Sequence, residues 1–255
     1  MNDMAGQIVL VTGSTSGIGR AVALRLAESG ATVAIHGRNA AAAEKVADAI
    51  SRSAGSVAGI FLADIATPDG CTELLAAVRK TCPELHAACL IAGADTLTGS
   101  SASLSFEDKL KLLYDTDVRS TLLLGRGLGH LLKEREGSSI VTTGWDQAAT
   151  GMEGDSGELF STIKGAVMAF TKSLAKSLAP HVRVNCVAPG WIKTAWGDQA
   201  SKEWQDRAVR ECLLERWGES GDIADAVRWL ISPQASFVTG QIINVNGGFR
   251  TNQNN

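Results

Sequence analysis

The sequence has few of the residues from which proteins build disulfide frameworks and metal sites. It contains five cysteines among 255 residues, an odd number, and their spacing forms no recurrent pairs. The four histidines also stand alone, so no ligand spacing indicates a metal site. We therefore expect reduced thiols, no bound metal ion and a cytoplasmic location.

An excess of basic residues is lacking as well, and so are long apolar runs. The chain has 24 Lys and Arg against 27 Asp and Glu, a net charge of −3, which leaves no surplus for binding a nucleic-acid backbone. Every apolar run is shorter than the roughly 20 residues of a membrane-spanning helix. The first expected strand starts at Ile8, which leaves no room for a signal peptide. We expect neither a nucleic-acid partner nor a membrane span.

The sequence does contain abundant core residues, and they recur in an alternating order. Hydrophobic residues make up 45% of it, and only five prolines occur, without a Ser/Pro-rich linker, so one domain over residues 1–255 is expected. Short apolar runs predict strands at residues 8–11, 32–36, 57–63, 85–92, 139–143, 182–188 and 241–245. Helical spacing predicts helices at residues 20–29, 39–53, from 67 onwards, 105–133, 159–178, 193–215 and 222–231. This order predicts an α/β fold, a single Rossmann-like domain with a doubly wound parallel sheet of about seven strands and helices on both faces.

A glycine-rich stretch from Thr12 to Gly19 lies between the first strand and the first helix. Glycines in such a turn let the backbone approach a ligand closely, and the helix start offers free N–H groups and the positive end of its dipole. A strand, a glycine turn and a helix in this order therefore predict a phosphate-binding turn.

The chain resembles the short-chain dehydrogenase/reductases, in particular their 3-oxoacyl-carrier-protein reductase-like members. The resemblance runs from Gly6 to about Gly248. Its motifs are the glycine turn, Asp64-Ile65 after the third strand, Ala92-Gly93 after the fourth, Lys164 in a long helix, the segment from Asn185 to Thr194, Val238 to Gln241, and Asn246 to Gly248. The resemblance implies a Rossmann fold, a nicotinamide dinucleotide cofactor and an oxidoreductase.

If the glycine turn holds a pyrophosphate, the residue after the second strand selects between the two nicotinamide dinucleotides. The stretch from His36 to Asn39 has no acid to bind a ribose diol, whereas Arg38 can offer a planar fork to a 2′-phosphate. We expect NADP(H) to be preferred, with NAD(H) possible. The resemblance implies that Asp64 and Ile65 meet the adenine, although Asp64 could instead cap the turn at Thr67. In all, we expect fifteen residues to bind the cofactor: Gly13, Ser16, Gly17, Ile18, Gly19, Arg38, Asp64, Ile65, Ala92, Gly93, Lys164, Pro189, Gly190, Ile192 and Thr194.

The catalytic positions of the family are not matched. Its members use a tyrosine as general acid four residues before a lysine, with a serine that holds the substrate oxygen and an asparagine that supports a proton-relay water. Lys164 fits the lysine, but Phe160 stands at the tyrosine position. Trp145 or Gly144 takes the place of the serine, and Asp117 that of the asparagine. Lys164 and Asp117 remain as candidate catalytic residues.

Other residues offer only partial substitutes for the missing acid. Tyr114, the single tyrosine, lies about one helical turn before Asp117 and could approach the cleft, or it could pack like most aromatics in an apolar helix. Ser161 shares part of the face of Lys164, but a hydroxyl without an adjacent base is a weak acid. Thr143 could hold a substrate oxygen without replacing a phenol. A variant spacing in the family would place the tyrosine at Gly157, which excludes it.

Residues around the expected cleft suggest a small apolar or aromatic substrate. Trp191, Trp196 and Trp204, with Trp145 and Phe160, would form an aromatic pocket, unless they are core or subunit-contact residues. The segment 152–158 is expected to be a solvated acidic loop that could bind a cationic group. Relatives pair through their long helices, here residues 105–133 and 159–178, so the resemblance implies a homo-oligomer, a dimer or a tetramer.

Three functions remain open from the sequence. The first is an NADP(H)-dependent oxidoreductase that acts on a carbonyl, hydroxyl or activated alkene through a non-standard proton relay. The second is a nucleotide-binding protein with little or no turnover, either a sensor or a subunit of an assembly. The third is a lyase or isomerase that uses Asp117 or Asp146 as a base.

Overall fold

The strands of the protein follow the apolar runs of its sequence. The structure, a computed structural model, describes residues 3–250. Within that range the strands are β1 (Ile8–Thr12), β2 (Thr32–Gly37), β3 (Ser56–Leu62), β4 (Ala87–Leu90), β5 (Ser138–Thr143), β6 (Val182–Pro189), β7 (Ile192–Lys193), β8 (Gly218–Glu219) and β9 (Ile242–Val245).

Seven of these strands form one parallel sheet in the order β3-β2-β1-β4-β5-β6-β9. The chain moves outward from β1 in one direction through β2 and β3, and then crosses to β4 on the other side. The direction of winding therefore changes between β1 and β4, the point at which open α/β sheets leave a crevice beyond their carboxyl ends.

Helices cover both faces of this sheet. They are α1 (Gly17–Glu28), α2 (Ala40–Arg52), α3 (Pro68–Thr81), α4 (Phe106–Leu113), α5 (Ser120–Leu132), α6 (Asp155–Leu178), α7 (Ala195–Gln199), α8 (Lys202–Glu211) and α9 (Ser220–Ile231). Side chains of α1, α2 and α9 form one buried cluster, and those of α3, α5 and α6 form another on the opposite face. Successive residues of β1 alternate between the two clusters, Val9 and Val11 in the first and Leu10 in the second. The predicted α/β fold with about seven parallel strands is confirmed.

The helix expected at residues 105–133 has an interruption that its periodicity did not predict. Residues Tyr114–Arg119 form a π turn between α4 and α5, and Asp117 and Val118 within it are buried. The turn spans only six residues, so it changes the apolar spacing too little to be visible in the sequence. Turns of this kind occur frequently at functional sites.

Two other predictions near the carboxyl end of the sheet were wrong. Helix α6 begins at Asp155 rather than Leu159, because Asp155 and Glu158 in its first turn stabilise the helix N-terminus. The segment 152–158 is therefore partly helical rather than a loop throughout. The helical region expected at residues 193–215 consists of two helices, α7 and α8, since the backbone of Ala200 between them is extended. Strands β7 and β8, which pair in parallel, were not expected.

None of the helices within residues 3–250 combines the length and the apolar composition that crossing a membrane requires.

Candidate active site

A cavity of about 750 Å³ lies at the carboxyl ends of the central strands. The residues that line it follow β1, β2, β3, β4, β5 and β6. All fifteen residues expected to bind the cofactor line this one cavity, although they come from six separate stretches of the chain. Asp117, Trp145 and Phe160 line it as well.

The glycine turn after β1 forms one end of the cavity. A Cβ atom on Gly19 would lie 2.2 Å from the carbonyl oxygen of Gly13, so only glycine lets the start of α1 pack against the turn. Gly13 has a φ of +65°, and a Cβ there would lie 2.8 Å from the Cα of Ala92. Ser16 at the N-cap of α1 forms no side-chain cap, so the first N–H groups of the helix remain available to an anion.

His36, at the end of β2, is a cavity residue that the sequence did not indicate. Its side chain is buried, and it lies behind the glycine turn. The backbone N–H of Gly13 donates to His36 Nδ1 at 3.2 Å, and Nε2 lies 3.2 Å from the carbonyl oxygen of Ala63. Burial lowers the pKa of His36 to about 4. An isolated histidine gives no signal in a sequence, but its position two residues before Arg38 could have drawn attention to it.

The region after β2 and β3 contains the residues expected to meet the adenosine part of a dinucleotide. Arg38 is exposed at the cavity wall, and no ion pair or hydrogen bond engages its guanidinium within residues 3–250. Asp64 Oδ1 accepts a hydrogen bond from the N–H of Ala66 at 3.1 Å, so the carboxylate does stabilise the turn before α3. The helix itself is capped by Thr67, whose hydroxyl accepts from the N–H of Gly70.

Lys164 and Asp117 form a buried ion pair at the middle of the cavity. Lys164 Nζ lies 2.5 Å from Asp117 Oδ1, and the side chains are 11% and 1% exposed. The other oxygen, Oδ2, accepts from the N–H of Ala94 at 2.9 Å. A Cβ on Gly93 would lie 2.9 Å from Oδ1, so the glycine leaves room for the carboxylate. Asp117 therefore joins the π turn, the end of β4 and α6, and Lys164 is not a surface lysine.

Two aromatic rings, those of Trp145 and Phe160, line the cavity near Lys164. Trp145 and Phe160 contact each other edge to face, with ring centroids 6.2 Å apart. Thr143 lines the cavity too, but its hydroxyl donates to the carbonyl oxygen of Leu90 at 3.3 Å. Tyr114 is half exposed and is not among the residues that line the cavity, which argues against its use as a substitute acid. Ser161 Oγ is buried without a partner among the residues described.

Three tryptophans form the outer wall of the same cavity. Trp191, Trp196 and Trp204 have ring centroids 5.6–6.0 Å apart, and all three line the cavity as expected. The guanidinium carbon of Arg207 lies 5.0 Å from the ring centroid of Trp204. The same guanidinium donates to Glu153 at 2.7 Å. Arg207 therefore connects α8 to the segment before α6. Its partner there, Glu153, is the only acidic residue among residues 152–154.

Asp146 follows β5 but is not among the cavity-lining residues. Its Oδ2 accepts from Asn246 Nδ2 at 2.9 Å, and Oδ1 is buried with no partner in the described part of the chain. Burial raises the pKa of Asp146 to about 6, although the hydrogen bond from Asn246 acts to lower this pKa. The geometry gives no support to Asp146 as a base in this cavity, and both oxygens of Asp117 are engaged by the chain itself.

Across residues 3–250, no group of three or more His, Cys, Asp or Glu side chains is arranged to hold a metal ion.

The doubly wound sheet and the cavity at its switch point define a Rossmann-like α/β protein. Residues 13–250 match the family model described as enoyl-(acyl carrier protein) reductase. The chain belongs to the short-chain dehydrogenase/reductase family, and the predicted family is confirmed. It is 33% identical over 259 residues to the 3-oxoacyl-(acyl-carrier-protein) reductase FabG of Aquifex aeolicus, which covers 96% of this chain and 98% of the relative. It is also 31% identical over 246 residues to the uncharacterized oxidoreductase YmfI of Bacillus subtilis, covering 94% and 97%.

Solved structures of dehydrogenases superpose on this chain over nearly its whole length. A short-chain dehydrogenase from Burkholderia cenocepacia in complex with NADP superposes with a TM-score of 0.85 at 28% identity, over 96% of this chain and 98% of that chain. A 7α-hydroxysteroid dehydrogenase complexed with NADH and 7-oxo glycochenodeoxycholic acid has a TM-score of 0.87 at 26% identity, over 98% and 97%.

Proposed function

We propose that this protein binds NADP(H) in preference to NAD(H) and is an oxidoreductase. Its substrate would be an apolar or aromatic molecule with a carbonyl, a hydroxyl or an activated alkene, and its proton relay would differ from that of the family. The observation that carries the proposal is the single cavity lined by the glycine turn, Arg38, Lys164 and the segment 189–194.

The residues of the cavity fit a dinucleotide. The glycine turn leaves a cradle that a Cβ on Gly13 or Gly19 would close, and the start of α1 can receive the pyrophosphate. Arg38 has no acidic neighbour in the stretch after β2, which favours a 2′-phosphate over a free ribose diol. Similar structures contain NADP in one case and NADH in another, so the preference for NADP(H) rests on Arg38.

Each chain residue would have a defined task beside the bound cofactor, which supplies or accepts the hydride. Lys164 would hold the ribose next to the nicotinamide, because one of its three protons is donated to Asp117 and two remain. The resemblance to the family implies that the Thr194 hydroxyl and the backbone at Ile192, which both line the cavity, would hold the carboxamide. Phe160 and Trp145 would exclude water from the ring face.

Proton transfer is the step in which this chain departs from its family. Phe160 has no proton to donate, and a positioned acid typically contributes about 10²–10⁴ in rate. The Lys164 ammonium, held by Asp117, is a proton-carrying group that lines this part of the cavity. We therefore assign proton delivery to the Lys164–Asp117 pair, directly or through a water molecule.

Turnover assays test the proposed oxidoreductase directly. The unmodified protein should oxidise NADPH with a member of a panel of apolar ketones, aldehydes and enones, and Lys164→Met should remove this activity. Phe160→Tyr combined with Trp145→Ser restores the family's acid and oxygen-holding group, and should raise ketone reduction. Phe160→Leu is the matched control, since it removes the ring without adding a phenol. Cofactor binding without turnover on any compound would contradict the oxidoreductase.

A second candidate, a nucleotide-binding protein without turnover, is favoured by one specific feature. Both groups that touch the substrate oxygen in the family are replaced by the Trp145–Phe160 contact. This candidate expects tight NADPH binding and no activity with the unmodified chain, and ketone reduction only in the doubly substituted variant.

The substrate end of the cavity is aromatic, and this supports an apolar substrate. Trp191, Trp196 and Trp204 present ring surfaces, and the nearby Glu153 is already paired with Arg207. A flat apolar molecule would stack there, whereas a cationic group would compete with Arg207.

We further propose a homo-oligomer, a dimer or a tetramer, in the cytoplasm. Phe106, Leu110 and Leu123 are exposed large apolar side chains on α4 and α5, which is consistent with a covered surface. The five cysteines are free, as a reducing compartment requires. Sedimentation equilibrium gives the number of subunits, and a single monomeric species would contradict the oligomer. Cell fractionation tests the location.

A further inference from the structure

His36 joins three parts of the cofactor end of the cavity. Its side chain, 2% exposed, lies between the glycine turn and the end of β3. Its backbone is also bound to the turn, because Ser14 N donates to the His36 carbonyl oxygen at 3.0 Å and Ser14 Oγ accepts from the His36 N–H at 2.9 Å. Gly13 and Ser14 of the glycine turn are therefore both attached to a single residue of β2.

The hydrogen bonds of the imidazole fix its tautomer. The N–H of Gly13 can only donate, so Nδ1 must carry a lone pair toward it. The carbonyl oxygen of Ala63 can only accept, so Nε2 must carry the proton. The ring is consequently neutral, in agreement with its buried position and with the lowered pKa of about 4.

The hydrogen bond to His36 Nδ1 holds Gly13, the first glycine of the turn. Gly13 has a φ of +65°, and a glycine loses more conformational freedom than other residues when it is fixed. Without this acceptor, the half-buried Gly13 would lose the partner of its N–H, and its peptide plane and those that follow would be held less firmly. Those planes lead to the N–H groups at the start of α1.

We propose that His36 is a positioning residue for the dinucleotide: its Nδ1 holds Gly13 so that the turn is preorganised for the pyrophosphate. The inference rests on the proposed cofactor site. Preorganisation strengthens binding because the ligand does not have to order the turn. The loss of one hydrogen bond of this type corresponds to about three- to tenfold in affinity.

Two substitutions separate the two bonds of the ring. In His36→Asn the amide oxygen can occupy the place of Nδ1 and accept from Gly13, but the bond to Ala63 is lost. In His36→Gln the longer amide can reach Ala63 in place of Nε2, but nothing accepts from Gly13. Both variants lose one hydrogen bond, so a purely structural role predicts equal effects. His130→Gln, at an exposed position of α5, is the matched control for replacing a histidine by glutamine.

The experiment measures the Kd of NADPH and of adenosine 2′-monophosphate for the wild type and the variants, together with their melting temperatures. We expect His36→Gln to weaken NADPH binding three- to tenfold, with His36→Asn and His130→Gln within about twofold of wild type. Adenosine 2′-monophosphate has no pyrophosphate, so its Kd should change in none of them. If His36→Gln does not fold, His36→Ala takes its place with the same expected loss.

The outcomes distinguish the inference from the proposed function. A wild type that binds NADPH tightly, with equal affinity in His36→Gln or with equal losses in both variants, overturns the role of His36 and leaves the cofactor site intact. A loss for adenosine 2′-monophosphate as large as for NADPH also overturns it. A wild type that does not bind NADPH overturns the proposed function, and the inference with it.

Discussion

Replacing either partner of the Lys164–Asp117 ion pair should destabilise the protein strongly, and the two losses should not add. Asp117→Asn keeps an oxygen for the N–H of Ala94 but leaves the ammonium of Lys164 without a counter-charge. Lys164→Met leaves the carboxylate of Asp117 unpaired at a position that is 1% exposed.

The magnitude follows from the burial of the pair. Removing one partner of a buried ion pair costs about 3–5 kcal/mol, because an uncompensated charge remains in a medium of low polarity. For a domain of this size that loss corresponds to a fall in melting temperature of about 6–20 °C. The double variant Asp117→Asn with Lys164→Met has no net charge left at the site, so it should be more stable than the sum of the single losses predicts.

Thermal and urea unfolding of the cofactor-free protein, at one protein concentration, measure these effects. Lys202→Met is the control, since Lys202 forms an ion pair with Asp206 in which the side chains are 86% and 58% exposed. An exposed pair contributes about 0–1 kcal/mol, so this variant should be nearly unchanged. Single losses at Lys164 and Asp117 as small as that of Lys202→Met, or a double variant that loses the full sum, would refute a buried and coupled pair.

Three further substitutions test other parts of the site. Gly19→Ala puts a Cβ 2.2 Å from a backbone carbonyl oxygen of the turn, so NADPH affinity should fall about tenfold or more by fluorescence titration, and unchanged affinity would contradict the tight turn. The pKa of Asp146 is raised to about 6, so its folded form holds a proton that the unfolded chain releases, and stability should decline as the pH rises from about 4 to about 6. Asp146→Asn should remove this decline in a series of urea titrations, and an unaltered pH profile would exclude the carboxyl as its source. Arg207→Ala removes the contact with Glu153, so acrylamide should quench the tryptophans faster, whereas equal quenching would show that Arg207 does not hold the wall closed.

The sequence predicts the fold well because each strand and helix depends on local apolar spacing. The common location of the glycine turn, Arg38 and the segment 189–194 was likewise predictable, since they lie at the carboxyl ends of strands that meet at one edge of the sheet. The predictions that failed concern elements that are short or that have no periodic apolar spacing. The π turn at 114–119 and the two-residue strands β7 and β8 are too short to alter a periodic pattern.

The spacing of residues along the sequence does not show which distant residues contact each other. Lys164 and Asp117 are separated by 47 positions, and the sequence presents them as two unrelated candidates rather than as one ion pair. His36 and Gly13, 23 positions apart, meet only because β1 and β2 are neighbours in the sheet. Both cases show that the identity of a polar residue is visible in the sequence, whereas its partner depends on packing.

We propose that the cavity binds a dinucleotide with a 2′-phosphate, although the sequence predicts that Phe160 replaces the general acid. Titration of NADPH and NADH against the tryptophan fluorescence tests it most directly, because Trp145, Trp191, Trp196 and Trp204 line the cavity. We expect NADPH to bind more tightly than NADH, and Arg38→Ala to abolish that difference by weakening NADPH alone. Failure of both nucleotides to bind below the millimolar range, or a preference that survives in Arg38→Ala, would contradict the account.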